Sequence, residues 1–237
     1  AVKFQAQVTE RLVSKKVAKR LQPELGFDWF ARIKYKEMTH DELRELQRYA
    51  QTGGMPFFAT AHEVESLDFL DKELDIPILK VGSGESHNFE FLKTVGSRGK
   101  PVIISFGLQS DEEILKAMET LKRAGAPSII ALHCTTLYPT PYDQVTLPRM
   151  LHLRSLTGVP VGISDHSVGF HVPLAAVALG ACVVEKHLTF DTDDPRSLDN
   201  PGALTPGGWK QMVMQIRQLE QALKDVPMAE RFAQLTK

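Results

Sequence analysis

Cysteine is scarce in this sequence, which has only Cys134 and Cys182 among its 237 residues. The two thiols lie far apart, and neither stands in the Cys-x-x-Cys spacing of a zinc or redox site. Each belongs to a short apolar run that is typical of a strand. We therefore predict two buried free thiols, no disulfide, and a reduced cytoplasmic location.

Long hydrophobic runs and an excess of charge of one sign are also missing. No apolar stretch approaches the roughly 18 residues that a membrane-spanning helix needs, so we expect no membrane partner. The 28 Lys and Arg residues nearly balance the 29 Asp and Glu residues, which argues against a nucleic-acid partner. A hydrophobic content of 43% is ordinary for a globular domain, and 237 residues suit one α/β barrel.

Short apolar runs alternate with helical patterns along the chain. Several runs are continuous rather than alternating, as expected for strands buried on both faces of a parallel sheet. The strand candidates are residues 1–5, 57–60, 78–81, 102–106, 129–133, 159–164 and 182–188.

The helical stretches between them have recognisable ends. Thr39 with Glu42, and Ser110 with Glu113, have the spacing of a capping box, and Gly125 follows the second helix as a stop. A short apolar helix is predicted over 171–179. The last helix has an apolar stripe that we expect to face the core. Its members are Trp209, Met212, Val213, Ile216, Leu219 and Leu223.

This alternation is compatible with an open doubly wound sheet or with a closed barrel. No Gly-x-Gly-x-x-Gly follows a strand candidate, which weakens the dinucleotide-binding open sheet. We therefore predict an α/β fold, a (β/α)₈ TIM barrel. Seven strand candidates are one fewer than that barrel contains, and residue 1 already lies in a strand. The first βα unit is accordingly expected to be lacking from this chain.

Polar residues are concentrated at the carboxyl ends of the strand candidates, which meet on one face of a barrel. Burying the ammonium group of a lysine at the end of an apolar run costs free energy unless it contacts an anion. Each lysine could also reach solvent or pair with a nearby carboxylate. Two lysines and several hydroxyls in one cavity suit a ligand with phosphate and carboxylate groups. The residues are Lys3, Thr60, Lys80, Ser83, Glu85, Ser105, 133–138, 164–167 and 185–187.

Two histidines, His166 and His187, follow consecutive strand candidates and should be neighbours. A pair of imidazoles can bind a divalent metal and leave positions for water and substrate oxygens. Asp165 and Glu185 could orient these histidines or cap local turns. His133, inside an apolar run, is interpreted as a hydrogen-bonded structural residue.

Five stretches, taken in order, resemble the sialic acid synthase family, which includes N-acetylneuraminate synthase and the spore coat polysaccharide biosynthesis proteins. The resemblance runs from residue 1 to about residue 225. The stretches are KFQ (3–5), KVGSGE (80–85), HCTTLYPTPYD (133–143), GISDHSVG (162–169) and ALGACVVEKHLTFD (178–191).

The resemblance implies a synthase-type barrel over residues 1–225. Residues 226–237 would form a tail or linker toward a small antifreeze-protein-like domain, and the full-length protein would be a homodimer. The implied reaction condenses phosphoenolpyruvate with an N-acylated hexosamine aldehyde, such as N-acetylmannosamine. The products would be a nonulosonic acid and phosphate, and the cofactor a divalent metal, Mn²⁺ or alternatively Mg²⁺.

Residue by residue, the resemblance implies a phosphoenolpyruvate site and a metal site. The manganese ligands would be His166 and His187, and Glu85 and Tyr138 would line the sugar side. Lys80, Glu85 and the two histidines are the expected catalytic residues. The phosphoenolpyruvate ligands would be Lys3, Thr60, Lys80, Ser83, Ser105, Thr136 and Ser164.

Three segments depart from the family pattern. The family's STGM is SFGL here (105–108), and its STPF is ATAH (59–62), which retains only Thr60. The segment after residue 187 does not align with the family's loop. Asp193, Asp194 and Asp199 are all candidates for its sugar-binding aspartate.

Two other functions fit the same residues. One is a different phosphoenolpyruvate-dependent synthase that uses a sugar phosphate, which would need an additional basic subsite. The other is a non-catalytic barrel that binds a sugar or phosphate. The retained histidine and lysine pairs argue against the second, and the altered 59–62 and 105–108 segments favour it.

Overall fold

The structure is a computed structural model that describes residues 1–194 and 196–224. Its centre is a sheet of seven strands. These are β1 (Val2–Ala6), β2 (Phe57–Ala61), β3 (Leu79–Val81), β4 (Val102–Phe106), β5 (Ile129–Cys134), β6 (Val161–Asp165) and β7 (Val184–Lys186). All seven predicted strands are confirmed, with ends that differ by a few residues from the predicted ones. The predicted tail, 226–237, lies outside the described residues.

Every strand is parallel to its neighbours, and the strands follow one another in sequence order from β1 to β7. The sheet is curled, because the Lys3 ammonium on β1 lies 3.8 Å from the Glu185 carboxylate on β7. Within the described part of the chain, no backbone pairing joins β1 to β7. The fold is therefore a parallel α/β fold with a barrel-like curvature.

Helices connect the strands. They are α1 (Thr9–Leu12), α2 (Lys15–Leu25), α3 (Trp29–Tyr35), α4 (His40–Thr52), α5 (Val64–Asp68), α6 (Phe89–Gly96), α7 (Asp111–Ala124), α8 (Pro148–Thr157), α9 (His171–Ala178) and α10 (Pro206–Ala222). Both predicted capping boxes are present, at the start of α4 and of α7. Among the described residues, no helix combines the length and apolar character that crossing a bilayer requires.

The core lies between the sheet and the helices, where apolar strand residues meet the inner faces of the helices. All five residues of β4 are buried, as the continuous apolar run predicts. Ile104, Leu121 and Leu132 are fully buried, and burial of such a side chain contributes about 1.5–3 kcal/mol.

Two predictions about burial are wrong in part. In α10, Met212 is buried, whereas Val213 and Leu223 are 44% and 53% exposed, so only part of the stripe faces the core. Cys134 is buried, but Cys182 is exposed, because it lies in the turn before β7 rather than within the strand. Both thiols are free, as predicted.

Candidate active site

The polar residues that the sequence pattern selected meet inside the curl of the sheet, although Lys3 lies near the start of β1 and not at its carboxyl end as predicted. Lys3 on β1 donates a hydrogen bond from Nζ to Thr60 Oγ1 on β2, over 3.2 Å. Lys80 on β3 donates to Ser105 Oγ on β4 and to the carbonyl of Val81, at 2.8 and 2.9 Å. The parallel register, which aligns Thr60 with Lys80, thus gathers both ammonium groups inside the curl of the sheet.

Glu185 lies between the two lysines. Its Oε1 is 3.7 Å from Lys80 Nζ, its Oε2 is 3.8 Å from Lys3 Nζ, and Oε1 accepts a 2.8 Å hydrogen bond from Ser164 Oγ. These ammonium–carboxylate distances exceed the 2.7–2.9 Å typical of a hydrogen-bonded ion pair. Glu185 was predicted to orient a histidine or to cap a turn. In the structure its carboxylate is instead the counter-ion of two lysines.

The charges of this cluster shift its pKa values in a consistent way. Burial alone would raise the pKa of Glu185, but the charges of Lys80 and Lys3, together with the Ser164 hydrogen bond, lower it to about 2. Burial lowers the pKa of Lys80, and the nearby Glu185 charge opposes that change. The cluster is thus a compact arrangement of two cations and one anion around buried hydroxyls.

Polar atoms without partners surround the same place. In residues 1–194 and 196–224, five buried side-chain polar atoms lack a hydrogen-bond partner, and three of them, His62 Nε2, Ser83 Oγ and Thr136 Oγ1, belong to the strand ends. Such an atom costs about 1–3 kcal/mol when it stays unsatisfied. Three together indicate that a polar ligand completes the site.

Glycine packing shows how closely two of these residues approach each other. A Cβ at Gly107 would lie 2.9 Å from Ser83 Oγ and 3.1 Å from Thr136 Cγ2, so only glycine leaves both side chains in place. Gln109 fixes the same loops, because its Oε1 accepts from the amides of Gly107 and Leu108 while its Nε2 donates to the Ser83 carbonyl.

The two predicted metal ligands are neighbours. The rings of His166 and His187 are 5.2 Å apart between centroids, and the Tyr138 ring lies 4.2 Å from His166 and 6.1 Å from His187. His166 Nδ1 donates to the Thr135 carbonyl over 3.1 Å, which leaves Nε2 as its free ligand atom. Burial lowers the pKa of both imidazoles, that of His166 to about 4, so both are neutral near pH 7.

Neutral imidazoles are suited to metal binding, and at His166 the Nδ1 hydrogen bond also fixes the ring. Over the described ranges, no group of three or more His, Cys, Asp or Glu side chains could hold an ion. A metal here would therefore take two histidine nitrogens and fill its remaining positions with water or substrate oxygens. The donor set fits a divalent transition metal that contacts its substrate.

The loop after β7 contributes Asp199 to this end of the site. Asp199 Oδ1 lies 4.0 Å from His187 Nε2, and its Oδ2 is 2.7 Å from Lys36 Nζ. Of the other two candidate aspartates, Asp194 pairs with Arg196 and Asp193 is exposed. A short 3₁₀ turn, Asn200–Gly202, holds the loop against His166, since a Cβ at Gly202 would lie 2.4 Å from the His166 carbonyl.

Three further polar residues near the site make contacts within the protein. Glu85 is half-buried on the 3₁₀ turn that contains Ser83 (Ser83–Glu85), and its hydrogen-bond partner is Asn88. Asp165 pairs with the buried Lys186 at 2.6 Å and also caps the turn at Ser167, as the turn interpretation predicts. His133 Nε2 donates to the Val145 carbonyl at 2.7 Å, which confirms its structural role.

The sequence did not single out His62 or Gln109, and it placed Glu185 in the site but predicted a histidine contact or a turn cap for it instead of the two lysines. His62 could have been found from its position, because it is a polar residue directly after an apolar strand, in the altered ATAH segment. Gln109 is three residues beyond the end of β4, and nothing in its surroundings in the sequence distinguishes it from an ordinary surface glutamine.

Comparison with known proteins identifies similar sequences and folds. A model of the NeuB family matches residues 1–227. The N,N'-diacetyllegionaminic acid synthase of Campylobacter jejuni is 40% identical over 184 residues, which are 77% of this chain and 54% of that protein. Human N-acetylneuraminate-9-phosphate synthase is 37% identical over 191 residues, 80% of this chain and 52% of that protein.

Among solved structures, the N-acetylneuraminic acid (sialic acid) synthetase of Leptospira borgpetersenii, in complex with citrate, superposes with a TM-score of 0.85 at 31% identity. The superposition covers 100% of this chain and 79% of that one. The chain spans about half the length of the two curated relatives named above.

Proposed function

This chain belongs to the NeuB family, and from that premise we propose that the protein condenses phosphoenolpyruvate with the open-chain aldehyde of an N-acylated hexosamine. The products would be a nonulosonic, sialic-type acid and inorganic phosphate. The observation that carries the proposal is the cluster of Lys3, Lys80 and unpartnered buried polar atoms beside the His166–His187 pair.

The lysine end of the site would bind phosphoenolpyruvate. Lys3 and Lys80 supply two positive charges, and Thr60, Ser105 and Ser164 supply hydroxyls already hydrogen-bonded within the cluster. The remaining contacts would come from the hydroxyls of Ser83 and Thr136, whose partners are missing in the free protein. Charge-assisted hydrogen bonds of this kind are about twice as strong as neutral ones.

Glu185 would respond to that binding. In the free protein its carboxylate balances the two lysines, and its pKa of about 2 makes it a weak base near neutral pH. A phosphate that pairs with the same lysines would weaken this balance and raise the pKa of Glu185. Phosphoenolpyruvate would thus create a better proton acceptor beside itself.

The histidine end would take the sugar. Tyr138 covers both imidazoles, and Asp199 places a carboxylate 4.0 Å from His187, where it could accept a hydrogen bond from a sugar hydroxyl. Burial raises the pKa of Glu85, the other residue that the family resemblance assigns to the sugar side. Mn²⁺ or Mg²⁺ held by His166 and His187 would supply Lewis-acid polarisation of the aldehyde oxygen.

In the reaction, C3 of phosphoenolpyruvate would form a bond to the aldehyde carbon, and the aldehyde oxygen would gain a proton. Water would add at C2 and lose a proton, after which C–O cleavage would release phosphate and leave a ketone. The lysines and hydroxyls fixed around the phosphate provide electrostatic stabilisation that needs no rearrangement during the reaction. No covalent bond to the protein is required.

The sugar substrate could be a free acylated hexosamine or its phosphate ester. The two relatives bear the names of a diacetylated product and of a 9-phosphate product, so the free acylated hexosamine and its phosphate ester are both substrate candidates. A phosphate ester would need a cation beyond Lys3 and Lys80, and Lys36, which pairs with Asp199, is a candidate on the sugar side. We favour the unphosphorylated sugar because Lys36 is already paired at 2.7 Å.

Other expectations stay predictions. An eighth strand between the unpaired edges of β1 and β7 would complete a (β/α)₈ barrel. The homodimer, the cytoplasmic location and the lack of nucleic-acid or membrane partners are likewise expected from the sequence.

The experiment is release of phosphate from phosphoenolpyruvate, measured with N-acetylmannosamine, its 6-phosphate and an acylated diamino hexose, each with and without Mn²⁺. Metal-dependent phosphate release with one of these sugars, and no release when sugar is omitted, supports the proposal. Binding of phosphoenolpyruvate without release for any sugar would favour the non-catalytic barrel.

A further inference from the structure

His62 is the polar residue of the site that neither the motifs nor the described contacts account for. It directly follows β2, and its backbone amide donates to the Ala6 carbonyl over 3.3 Å, which keeps it beside the end of β1. Its Nε2 is buried and has no hydrogen-bond partner. The ring is therefore held in a fixed place with a polar atom unused.

The surroundings of this ring are those of the lysine cluster. A Cβ at Gly82 would lie 3.7 Å from Thr60 Cγ2 and 3.8 Å from His62 Cε1, so the turn that leads to Ser83 packs against both side chains. Lys3 and Lys80 are close enough for their charges to act on the imidazole. His62 thus lies at the same strand ends as the two ammonium groups, on their β2 side.

An apolar ring at this position would avoid the free-energy cost of burying an unsatisfied polar atom. The family's STPF pattern has phenylalanine where this chain has His62, and a phenylalanine would leave no buried polar atom unsatisfied. A buried group without a partner is expected to have a functional explanation, such as a ligand that is bound during the protein's work. The neighbouring cations indicate a ligand of negative charge.

We propose that His62 is a further substrate-binding residue, whose Nε2 forms a hydrogen bond with an anionic oxygen of bound phosphoenolpyruvate. The inference rests on the proposed function, because it takes phosphoenolpyruvate as the anion. His62 would act as a neutral donor that adds direction to the charge of the two lysines.

The protonation state agrees with that role. Burial and the charges of Lys3 and Lys80 lower the pKa of His62 to about 4, so the ring is neutral near pH 7. In the neutral form one ring nitrogen carries a proton and can donate to the anion, while the other can only accept.

The test compares four variants for phosphoenolpyruvate affinity, by calorimetry, and for thermal unfolding without ligand. His62→Phe keeps the ring volume and removes the hydrogen bond, whereas His62→Gln places an amide near the position of Nε2. Lys80→Ala tests the anion site itself. His152→Gln is the matched control, because His152 is an exposed histidine on α8.

We expect His62→Phe to weaken phosphoenolpyruvate binding on the order of 10-fold, while its unfolding temperature is equal to or above that of the unmodified protein. His62→Gln should recover part of the affinity. His152→Gln, which alters only an exposed pair with Asp111, should leave the affinity unchanged and change the unfolding temperature little. KM for phosphoenolpyruvate should rise in His62→Phe by more than kcat falls. Inorganic phosphate and pyruvate, tested separately, would show which end of the substrate meets the imidazole.

An unchanged affinity in His62→Phe, together with a large loss in Lys80→Ala, would overturn the role of His62 and leave the proposed function standing. An unchanged affinity in Lys80→Ala would instead refute the anion site. A loss of both affinity and stability in His62→Phe, without recovery in His62→Gln, would make the role structural. If His62→Phe does not fold, the ¹⁵N resonance of His62 Nε2 must shift on addition of phosphoenolpyruvate to the unmodified protein, and no shift overturns the inference.

Discussion

Replacement of Glu185 by glutamine is the perturbation whose effects follow most directly from the geometry. The carboxylate is 3.7 Å from Lys80 and 3.8 Å from Lys3, and at an effective dielectric constant of about 20 each such pair is worth about 4 kcal/mol before desolvation. The net effect is smaller, because burial opposes the charge. A pKa lowered from 4.5 to about 2 corresponds to about 3 kcal/mol, at about 1.36 kcal/mol per pKa unit.

Glu185→Gln should therefore lower the free energy of unfolding by about 3 kcal/mol, because it leaves the buried Lys80 without a counter-charge. The same variant should bind inorganic phosphate about 10-fold more tightly, since about 1.4 kcal/mol of the removed charge–charge repulsion would suffice. Saturating phosphate should then restore much of the lost stability. One substitution is thus expected to weaken the free protein and strengthen its anion complex.

The effect on stability should depend on pH in a defined direction. The pKa of Glu185 is lower in the folded state, so its contribution is fully present above about pH 4.5 and is lost as pH falls toward 2. The difference in unfolding free energy between the unmodified protein and Glu185→Gln should shrink over that range.

The assays are chemical denaturation at several pH values and calorimetric titration with phosphate. Glu90→Gln is the control, because Glu90 forms an exposed pair with Lys93 at 2.6 Å, and its loss should cost less than about 1 kcal/mol. Glu185 is not a counter-ion to the two lysines if Glu185→Gln is as stable as the control, or if it binds phosphate no more tightly than the unmodified protein.

Three further substitutions test other parts of the structure. His187→Ala should abolish Mn²⁺ binding measured by electron paramagnetic resonance, together with turnover, and should leave the circular dichroism spectrum unchanged; retained activity would eliminate the metal role. Gln109→Ala removes the hydrogen bonds that join the loops after β3 and β4, so KM for phosphoenolpyruvate should rise several-fold and stability should fall by about 1–3 kcal/mol; an unchanged KM would show that the loops hold without it. Lys186→Met leaves the buried Asp165 without its ion-pair partner and should lower the free energy of unfolding by about 3–5 kcal/mol, measured with denaturant, whereas a loss below about 1 kcal/mol would contradict a tightly coupled pair.

The strands could be predicted because several of their apolar runs are short and continuous, as expected for strands buried on both faces, and because they alternate regularly with helical patterns. The capping boxes at Thr39 and Ser110 were equally readable, since they depend on residues three apart. Gathering of Lys3, Lys80, His166 and His187 at one end of the sheet follows from parallel strands in sequence order.

Side-chain partners were harder to predict, because they depend on distances across the curl of the sheet. Glu185 is two residues from His187 in the sequence, yet its carboxylate contacts lysines on β1 and β3. Two side chains that are close in sequence need not have the same partner. The choice of Asp199 over Asp193 and Asp194 required the path of the loop after β7. The exposure of Val213 and Leu223 likewise could not be predicted from helical spacing, which identifies an apolar face but not the elements that cover it.

We propose that one site at the strand ends binds phosphoenolpyruvate and a divalent metal side by side. A crystal structure of the protein with phosphoenolpyruvate and Mn²⁺ would show both ligands at once. We expect the anionic groups of phosphoenolpyruvate to contact Lys3 and Lys80, with Mn²⁺ bound to His166 and His187. Phosphoenolpyruvate bound away from both lysines, or Mn²⁺ bound to neither histidine, would contradict the proposed function.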